Sequence, residues 1–188
     1  MAPKDRQRWN TRYGQKQKQP GVRPVVKRFN HLAAKGKALD LATGLGVNAL
    51  FLARLGFTVF AVDISDEAVL PLARRHPNLF PVCLDLDVWD IPINYFDLII
   101  NIRFLDRRLF PQIIEGLKPG GVLIAETYLI EACPSSPPSH RDYFLRPNEL
   151  LHAFLPLRLL YYHEETSVQE GSKARLATLV GVKGDGNK

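Results

Sequence analysis

The chain has 188 residues, of which 46% are apolar and 23% are charged. A domain of this size buries most of the surface that its unfolded chain exposes, so this composition excludes global disorder and a disulfide-stapled miniprotein. Two cysteines, Cys83 and Cys133, are too few for a disulfide framework or for a metal cluster of their own. No apolar run approaches the roughly 18 residues of a membrane span, and no signal-peptide core follows the first charged residues. We therefore predict a cytoplasmic protein with no membrane partner and no metal.

The formal net charge of +6 is unevenly distributed along the chain. Residues 1–37 hold eleven Lys and Arg and one acid, whereas the remaining 14 basic and 18 acidic residues sum to −4. Such a basic arm on an acidic body is consistent with a nucleic-acid tail, a solvated extension or a flap that faces the substrate. We expect a basic N-terminal arm over residues 1–21, one domain over 22–183 and a flexible tail over 184–188.

The first predicted helix follows the arm. Residues 5–21 are rich in Gln, Lys and Arg, with only Trp9 and Tyr13 as apolar anchors, which predicts a poorly packed segment. Pro24 suits the first position of a helix, and apolar residues recur at helical spacing from there to Ala33. Gly36 is expected to end this helix.

Short apolar runs and helical segments alternate in the central part of the chain. Strands are predicted over residues 38–42, 58–63, 80–84, 96–102 and 122–127. Helices are predicted over residues 48–55, 66–75 and 109–117, the second of them capped by Ser65. This alternation predicts a parallel, doubly wound sheet.

The last third of the chain departs from this alternation. Residues 131–140 contain three prolines and three serines, which predicts an extended loop. A short helix is expected over residues 147–154. The predicted strands 157–162 and 174–182 are separated by residues 164–173 without a helix, so they should pair antiparallel. The fold class is therefore α/β, with a mostly parallel sheet that ends in an antiparallel hairpin.

In open α/β sheets, ligands bind beyond the carboxyl ends of the strands. At these ends the chain carries carboxylates, amides and a glycine turn, in which the absence of a Cβ lets a ligand approach the backbone. The candidate cofactor-binding residues there are Asp40, Ala42, Thr43, Gly44, Gly46, Asn48, Asp63, Ile64, Asp85, Leu86 and Asn101.

Two cofactor classes compete for this turn. Gly44-x-Gly46-x-x-Ala49 satisfies the dinucleotide fingerprint, and Asp63 lies where an acid accepts ribose hydroxyls. A pyrophosphate on the turn, however, would be repelled by Asp40, whereas the ammonium and sulfonium groups of S-adenosylmethionine (SAM) would be attracted. The carboxylates therefore favour SAM over a nicotinamide or flavin.

The adenine end of the ligand has two candidate acids. Asp85 is preferred as acceptor from the adenine amino group, with the backbone of Leu86 beside the ring edge, and Asp87 is the alternative. Either acid can also be a solvated turn residue.

At these residues the chain resembles the class I SAM-dependent methyltransferases, in particular the small branch similar to tellurite-resistance and thiopurine methyltransferases. The resemblance rests on Trp9-Asn10-x-Arg12-Tyr13 and on the runs at 39–53, 61–65, 96–101 and 117–127. It implies a seven-stranded, Rossmann-like sheet, SAM as cofactor, and SN2 methyl transfer to a small-molecule acceptor. The chain departs from the family at Ala42, where a first glycine is usual.

The resemblance also implies roles around the pocket. Trp9 and Tyr13 would form a flap over SAM and the acceptor. The candidates for the acceptor side are Arg103, Phe104, Asp106, Arg107, Tyr128 and His140. A soft sulfur, selenium or tellurium nucleophile would need alignment more than an acid or base, whereas an oxygen or nitrogen nucleophile can require a base.

Three other functions stay open. An RNA or protein methyltransferase could hold its substrate with the basic arm, although Asn101-Ile102-Arg103-Phe104 lacks the Asn/Asp-Pro-Pro-aromatic signature of amino-methylating nucleic-acid enzymes. An NAD-dependent oxidoreductase would need a catalytic pattern that is not evident here. A non-catalytic SAM sensor is the third alternative. Both a monomer and a homodimer are compatible with the sequence.

Overall fold

The computed structural model describes residues 3–15, 20–130, 143–169 and 172–185. The strands in this part of the chain are β1 Lys37–Leu41, β2 Thr58–Asp63, β3 Leu79–Cys83, β4 Phe96–Ile102, β5 Leu117–Tyr128, β6 Arg158–Gln169 and β7 Ser172–Val182. The α-helices are α1 Pro3–Gly14, α2 Pro24–Phe29, α3 Val47–Arg54, α4 Asp66–Val69, α5 Leu109–Gly116 and α6 Glu149–Ala153. Short 3₁₀ turns over Asn30–Leu32 and Leu70–Leu72 follow α2 and α4.

The seven strands form one sheet in the order β3-β2-β1-β4-β5-β7-β6. Strands β1 to β5 pair in parallel, whereas β7 is antiparallel to both of its neighbours. The prediction of a mostly parallel sheet with a terminal antiparallel hairpin is therefore confirmed. The strand order reverses between β1 and β4, where Leu41 lies beside Asn101. Such a switch point opens a crevice at the carboxyl ends of the two strands.

Helices cover both faces of the sheet, so its central strands are buried on both sides. Leu39 and Ile99 face a core that includes α5 and α6, whereas Ala38 and Leu98 face a core that includes α3. In β4 every residue except Asp97 is buried. A nearly continuous apolar run is typical of a strand that is buried on both faces, and β4 is buried in this way.

The first helix was predicted to follow the arm, but Pro3–Gly14, within the arm, is already helical. Gln, Lys and Arg have good helix propensity, and Asp5 near the start and Arg12 near the end suit the helix dipole. The packing is nevertheless sparse, since no side chain from residues 4–14 is buried. Helix α1 is held at the surface of the domain.

The helix predicted over residues 66–75 ends much earlier, at Val69. Pro71 has no N–H with which to continue the α-helical hydrogen bonds, so the chain turns into the 3₁₀ segment. The predicted cap is present: the Ala68 N–H donates to Ser65 Oγ at 3.2 Å. The shortened helix leaves Leu72 against the glycine turn.

The other differences concern segment ends. Helix α6 is shorter than the predicted 147–154, and β6 and β7 pair as far as Gln169 and Ser172, so most of the predicted connection 164–173 is strand. Strand β5 starts before the predicted Val122, with a register shift opposite β4. The predicted loop 131–140 lies outside the described residues.

Candidate active site

A cavity of about 660 Å³ opens at the carboxyl ends of the strands. Three parts of the fold line it. The strand ends contribute Ala42, Asp63, Ile64, Leu84, Leu86 and Asp87. Helix α1 contributes Asp5, Arg8, Trp9, Arg12 and Tyr13. The segments after β4 and β5 contribute Arg103, Phe104, Leu105, Asp106, Arg108, Tyr128, Tyr143 and Phe144.

The turn after β1 has left-handed backbone at three positions, with φ of +50° at Ala42, +55° at Gly44 and +67° at Gly46. Gly44 and Gly46 lie against different side chains. A Cβ on Gly44 would lie 2.9 Å from the Tyr13 hydroxyl, on the side of α1 and the cavity. A Cβ on Gly46 would overlap the methyl groups of Leu72, so this glycine is required for core packing.

Asp63 is buried at the end of β2 and lines the cavity. Its Oδ2 accepts a hydrogen bond from the Gly44 N–H at 2.8 Å, and its Oδ1 accepts one from the Ser65 N–H at 3.0 Å. Burial raises the pKa of Asp63, and hydrogen bonds from the backbone of Ser65, Gly44 and Ile64 act against that rise. Since each carboxylate oxygen can accept a second hydrogen bond, Asp63 can also bind two ligand hydroxyls.

Asp40 is only 2% exposed and does not line the cavity. Its Oδ2 accepts a hydrogen bond from Thr43 Oγ1 at 2.6 Å. Burial raises the pKa of Asp40 to about 7 despite that bond. Asp40 therefore lies behind the glycine turn, where it can act on a ligand through its charge.

Two amides were predicted to bind the cofactor. Asn48 Oδ1 accepts from the Arg23 N–H at 3.0 Å and thus holds the segment before α2, away from the cavity wall. Asn101 is buried at the end of β4, and its Oδ1 has no hydrogen-bond partner in the described part of the chain. A buried acceptor without a donor is costly, so the Asn101 oxygen is available for a ligand donor at the switch point.

The segment after β3 brings Leu86 and Asp87 to the cavity wall. Ile64, directly after β2, also lines the cavity. Asp85, the preferred adenine partner, does not line the cavity; its Oδ1 accepts from the Asp87 N–H at 2.9 Å. Asp87 forms an ion pair with Arg108, which also lines the cavity. The alternative acid, Asp87, thus lines the cavity, whereas the preferred Asp85 does not.

Helix α1 turns a mixed aromatic and charged stripe toward the cavity. Trp9 and Tyr13 stack at 5.6 Å, and the guanidinium groups of Arg8 and Arg12 each lie 5.4 Å from the Trp9 ring centroid. Burial and the nearby charge of Asp63 raise the pKa of Tyr13 to about 12, so its phenol stays neutral. The two arginines and Asp5 were missed as site residues, although their helical spacing with Trp9 and Tyr13 predicts a common face.

Arg103 begins the acceptor side of the cavity directly after β4. Its backbone has a φ of +62°, and its side chain is only 12% exposed. Arg103 Nε lies 3.2 Å from Glu126 Oε1, and the guanidinium lies 4.3 Å from the Tyr128 ring centroid. Arg103, Phe104 and Tyr128 therefore lie together along the cavity wall, and their place on the acceptor side stays a prediction.

Arg107, another predicted acceptor-side residue, does not line the cavity. Its guanidinium pairs with Glu149 and donates to the Phe144 carbonyl at 3.0 Å. It thus supports the segment that brings Phe144 and Tyr143 to the cavity, while the neighbouring Arg108 lines the wall instead. His140 lies outside the described residues.

Within the described residues, no group of three or more His, Cys, Asp or Glu could hold a metal ion. No helix in that part of the chain is both long and apolar enough to cross a membrane.

Residues 38–121 match a family model described as a methyltransferase domain. The matched stretch contains the glycine turn, Asp63 and Asn101, and of the strand-end residues within it Ala42 and Asp63 line the cavity. This part of the chain is therefore similar to methyltransferase domains. SAM is the cofactor that this family implies.

Curated relatives are distant and longer. The chain is 33% identical over 113 residues to the ribosomal protein L11 methyltransferase of Thermus thermophilus, covering 55% of this chain and 43% of that protein. It is 32% identical over 89 residues to the probable SAM-dependent methyltransferase TehB of Haemophilus influenzae, covering 44% and 31%. A carboxy-S-adenosyl-L-methionine synthase of Yersinia enterocolitica is 28% identical over 126 residues, covering 56% and 47%. The chain spans less than half the length of these relatives.

The solved structure of Haemophilus influenzae TehB superposes with a TM-score of 0.74 at 21% identity, over 93% of this chain and 67% of that one. This likeness confirms the Rossmann-like methyltransferase fold, with its seven-stranded sheet.

The residues at the cavity fit SAM on observations from this chain. Asp63 offers free lone pairs at the cavity wall, and the Gly44 side of the turn faces the same space. The unpartnered oxygen of Asn101 and the buried carboxyl of Asp40 lie on the neighbouring strands β4 and β1, and both suit a cationic group.

Proposed function

We propose that this protein transfers a methyl group from SAM to a small-molecule acceptor. One observation carries the proposal: a single cavity joins the Asp63 end of the sheet to an aromatic and guanidinium wall at Arg103, Phe104 and Tyr128. Its volume of about 660 Å³ lies within the usual range of small-molecule sites, roughly 300 to 1,000 Å³. A cofactor and a small acceptor would therefore share one enclosure.

Each cofactor-side residue has a distinct part in the proposal. Asp63 accepts hydrogen bonds from the two ribose hydroxyls. The adenine is bordered by Leu86 and by one acid, Asp87 or Asp85. Asn101 accepts from the ligand ammonium, and Asp40 adds a negative charge behind the turn. When bound, SAM would supply a methyl group activated by its sulfonium: the acceptor's lone pair would bond to the methyl carbon in line as the carbon–sulfur bond breaks, and S-adenosylhomocysteine would leave.

The acceptor side favours a nucleophile that needs little deprotonation. Among the described residues that line the cavity there is no histidine, lysine or cysteine. The Tyr13 phenol, with its pKa of about 12, is a poor base at neutral pH. We therefore expect a soft nucleophile such as a thiolate before an alcohol or an amine.

The geometry of α1 supports a small acceptor over RNA. Arg8 and Arg12, which belong to the basic arm, line the cavity beside Trp9. These arginines would then contact the bound ligands and contribute less to a free nucleic-acid surface. The identity to the ribosomal protein L11 methyltransferase keeps protein methylation as a second candidate. A cytoplasmic location and a monomeric or homodimeric state stay predictions.

The first experiment is thermal unfolding with S-adenosylhomocysteine and with NAD in parallel. A ligand that binds only the folded state raises the melting temperature by mass action. We expect a shift with S-adenosylhomocysteine and none with NAD; the reverse would overturn the cofactor assignment. Asp90→Asn, which removes an exposed acid outside the cavity, should shift like the wild type.

The second experiment asks what accepts the methyl group. Protein is incubated with radiolabelled methyl-SAM and either a panel of small thiols, total RNA, or ribosomal protein. Label transfer to a thiol supports the proposal. Transfer to RNA or protein alone, with none to a small molecule, would contradict it.

A further inference from the structure

Asn10 lies next to Trp9 on α1, but its side chain points toward the start of α4 and away from the cavity. Its Nδ2 donates to Asp66 Oδ1 at 2.6 Å, and its Oδ1 accepts from the Ser65 hydroxyl at 2.6 Å. Both polar atoms of the amide are therefore used in a contact between α1 and α4. The proposed function gives no role to this contact.

Ser65 connects that contact to the cavity. It is completely buried, its N–H donates to Asp63 Oδ1 at 3.0 Å, and its Oγ caps α4. The hydrogen bonds therefore run without interruption from the Asp63 carboxylate, through Ser65, to Asn10. Asp63 lines the cavity, whereas Asn10 holds the helix that covers it.

Polar contacts matter more for α1 than for the other helices. No side chain of residues 4–14 is buried, whereas the short helix α2 buries both Val25 and Val26. An element with little buried apolar surface opens at low free-energy cost. Removal of a few hydrogen bonds should thus change the position of α1 while the sheet stays folded.

We propose that Asn10 is a positioning residue that latches α1 onto the start of α4, and that this latch couples ligand binding at Asp63 to closure of α1. A ligand that orders Asp63 also orders Ser65, and thereby the Ser65 hydroxyl that donates a hydrogen bond to Asn10. By thermodynamic reciprocity, the latch strengthens ligand binding by the same factor by which the ligand favours closure. The ligand named here, SAM or S-adenosylhomocysteine, rests on the proposed function.

The test uses substitutions that change the charge of the latch. Asn10→Asp keeps an acceptor for Ser65 but removes the donor to Asp66 and places a second carboxylate beside it. We expect the dissociation constant for S-adenosylhomocysteine, measured by calorimetry, to rise about ten-fold, which corresponds to roughly 1.4 kcal/mol. Tryptic cleavage after Arg8 and Arg12 should become faster, while the melting temperature of the domain changes little.

A rescue variant distinguishes the loss of the Asn10–Asp66 contact from a general destabilisation of the protein. Combining Asn10→Asp with Asp66→Asn restores a donor and an acceptor in exchanged positions, and should recover both affinity and protection from trypsin. Asp66→Asn alone should behave like the wild type, because its Oδ1 can still accept from Asn10. Thr11→Ala is the matched control on α1, since the Thr11 hydroxyl donates only within the helix, to the Gln7 carbonyl at 2.9 Å.

Two results would overturn the latch. One is an Asn10→Asp variant that matches Thr11→Ala in both affinity and cleavage rate; the other is a double variant no better than Asn10→Asp. A failure of the proposed function looks different, because the wild type would then bind no S-adenosylhomocysteine. In that case the cleavage rates of the ligand-free variants still decide whether Asn10 holds α1.

Discussion

The two halves of the cavity are built in different ways. At the strand ends, Asp63 is buried and held by two backbone N–H groups, so its position is determined by the sheet. On α1, Trp9 and Tyr13 belong to a segment, residues 4–14, in which no side chain is buried, and they depend on contacts such as that of Asn10. We therefore expect the sheet to provide the binding geometry and α1 to control access to the cavity.

The largest effect on the strand-end half of the cavity is expected from Asp63→Asn. An amide has one acceptor oxygen, so one of the two backbone donors and at least one ribose hydroxyl lose their partner. We expect affinity for S-adenosylhomocysteine to fall about 100-fold, with a loss of stability of roughly 1–3 kcal/mol. Calorimetry and thermal unfolding measure the two effects, with Asp90→Asn as control. Unchanged affinity would remove Asp63 from the ribose role.

The two glycines of the turn sharpen the comparison. Gly46→Ala forces a Cβ into Leu72 at a left-handed position, and should destabilise the domain by roughly 2–3 kcal/mol. Gly44→Ala meets only the terminal hydroxyl of Tyr13, so it should cost roughly 1 kcal/mol in stability. Its larger effect should be weaker ligand binding and faster tryptic cleavage in α1. Chemical denaturation that ranked the two in the opposite order would contradict this division.

A substitution at Asp40 should change the stability of the fold and the affinity for SAM in opposite directions. Its pKa of about 7 in the folded protein exceeds the ordinary value of 3.8, so the folded state binds more protons between these pH values and stability falls as pH rises through this window. Asp40→Asn should remove that slope and raise stability at pH 8 by on the order of 2 kcal/mol. SAM affinity should fall several-fold because the charge is lost. Melting temperatures that change in parallel with pH in both proteins would contradict the assignment.

The smallest expected effect is at Ala42. Its φ of +50° costs an alanine about 1 kcal/mol relative to the right-handed region, and a glycine avoids this cost. Ala42→Gly should therefore raise the free energy of unfolding by roughly 0.5 kcal/mol, with ligand affinity unchanged within two-fold. Denaturant unfolding is the measurement. A destabilised Ala42→Gly would show that the alanine methyl group contributes packing that outweighs its strain.

Local sequence patterns predicted the sheet well. Strands β2 and β4 begin and end at the predicted residues, because their apolar runs are bounded by a glycine or a polar segment and are buried on both faces. The prediction failed at α4, where Pro71 stops the helix, and at α1, where sparse apolar content concealed a helix. These errors share one cause: a short amphipathic segment gains most of its stability from what it packs against.

By itself, the sequence determined the order of the strands and of the helices from α2 onward, the glycine turn and the carboxylates at the strand ends, because these follow from periodicity and from residues next to one another in the chain. The tertiary structure decided which side chains reach the cavity. Arg108 lines it and Arg107 does not, and Asp87 lines it and Asp85 does not. Neighbours of the same type in a loop differ only in the direction of their side chains. That direction is determined by partners distant in the chain, such as Glu149 for Arg107.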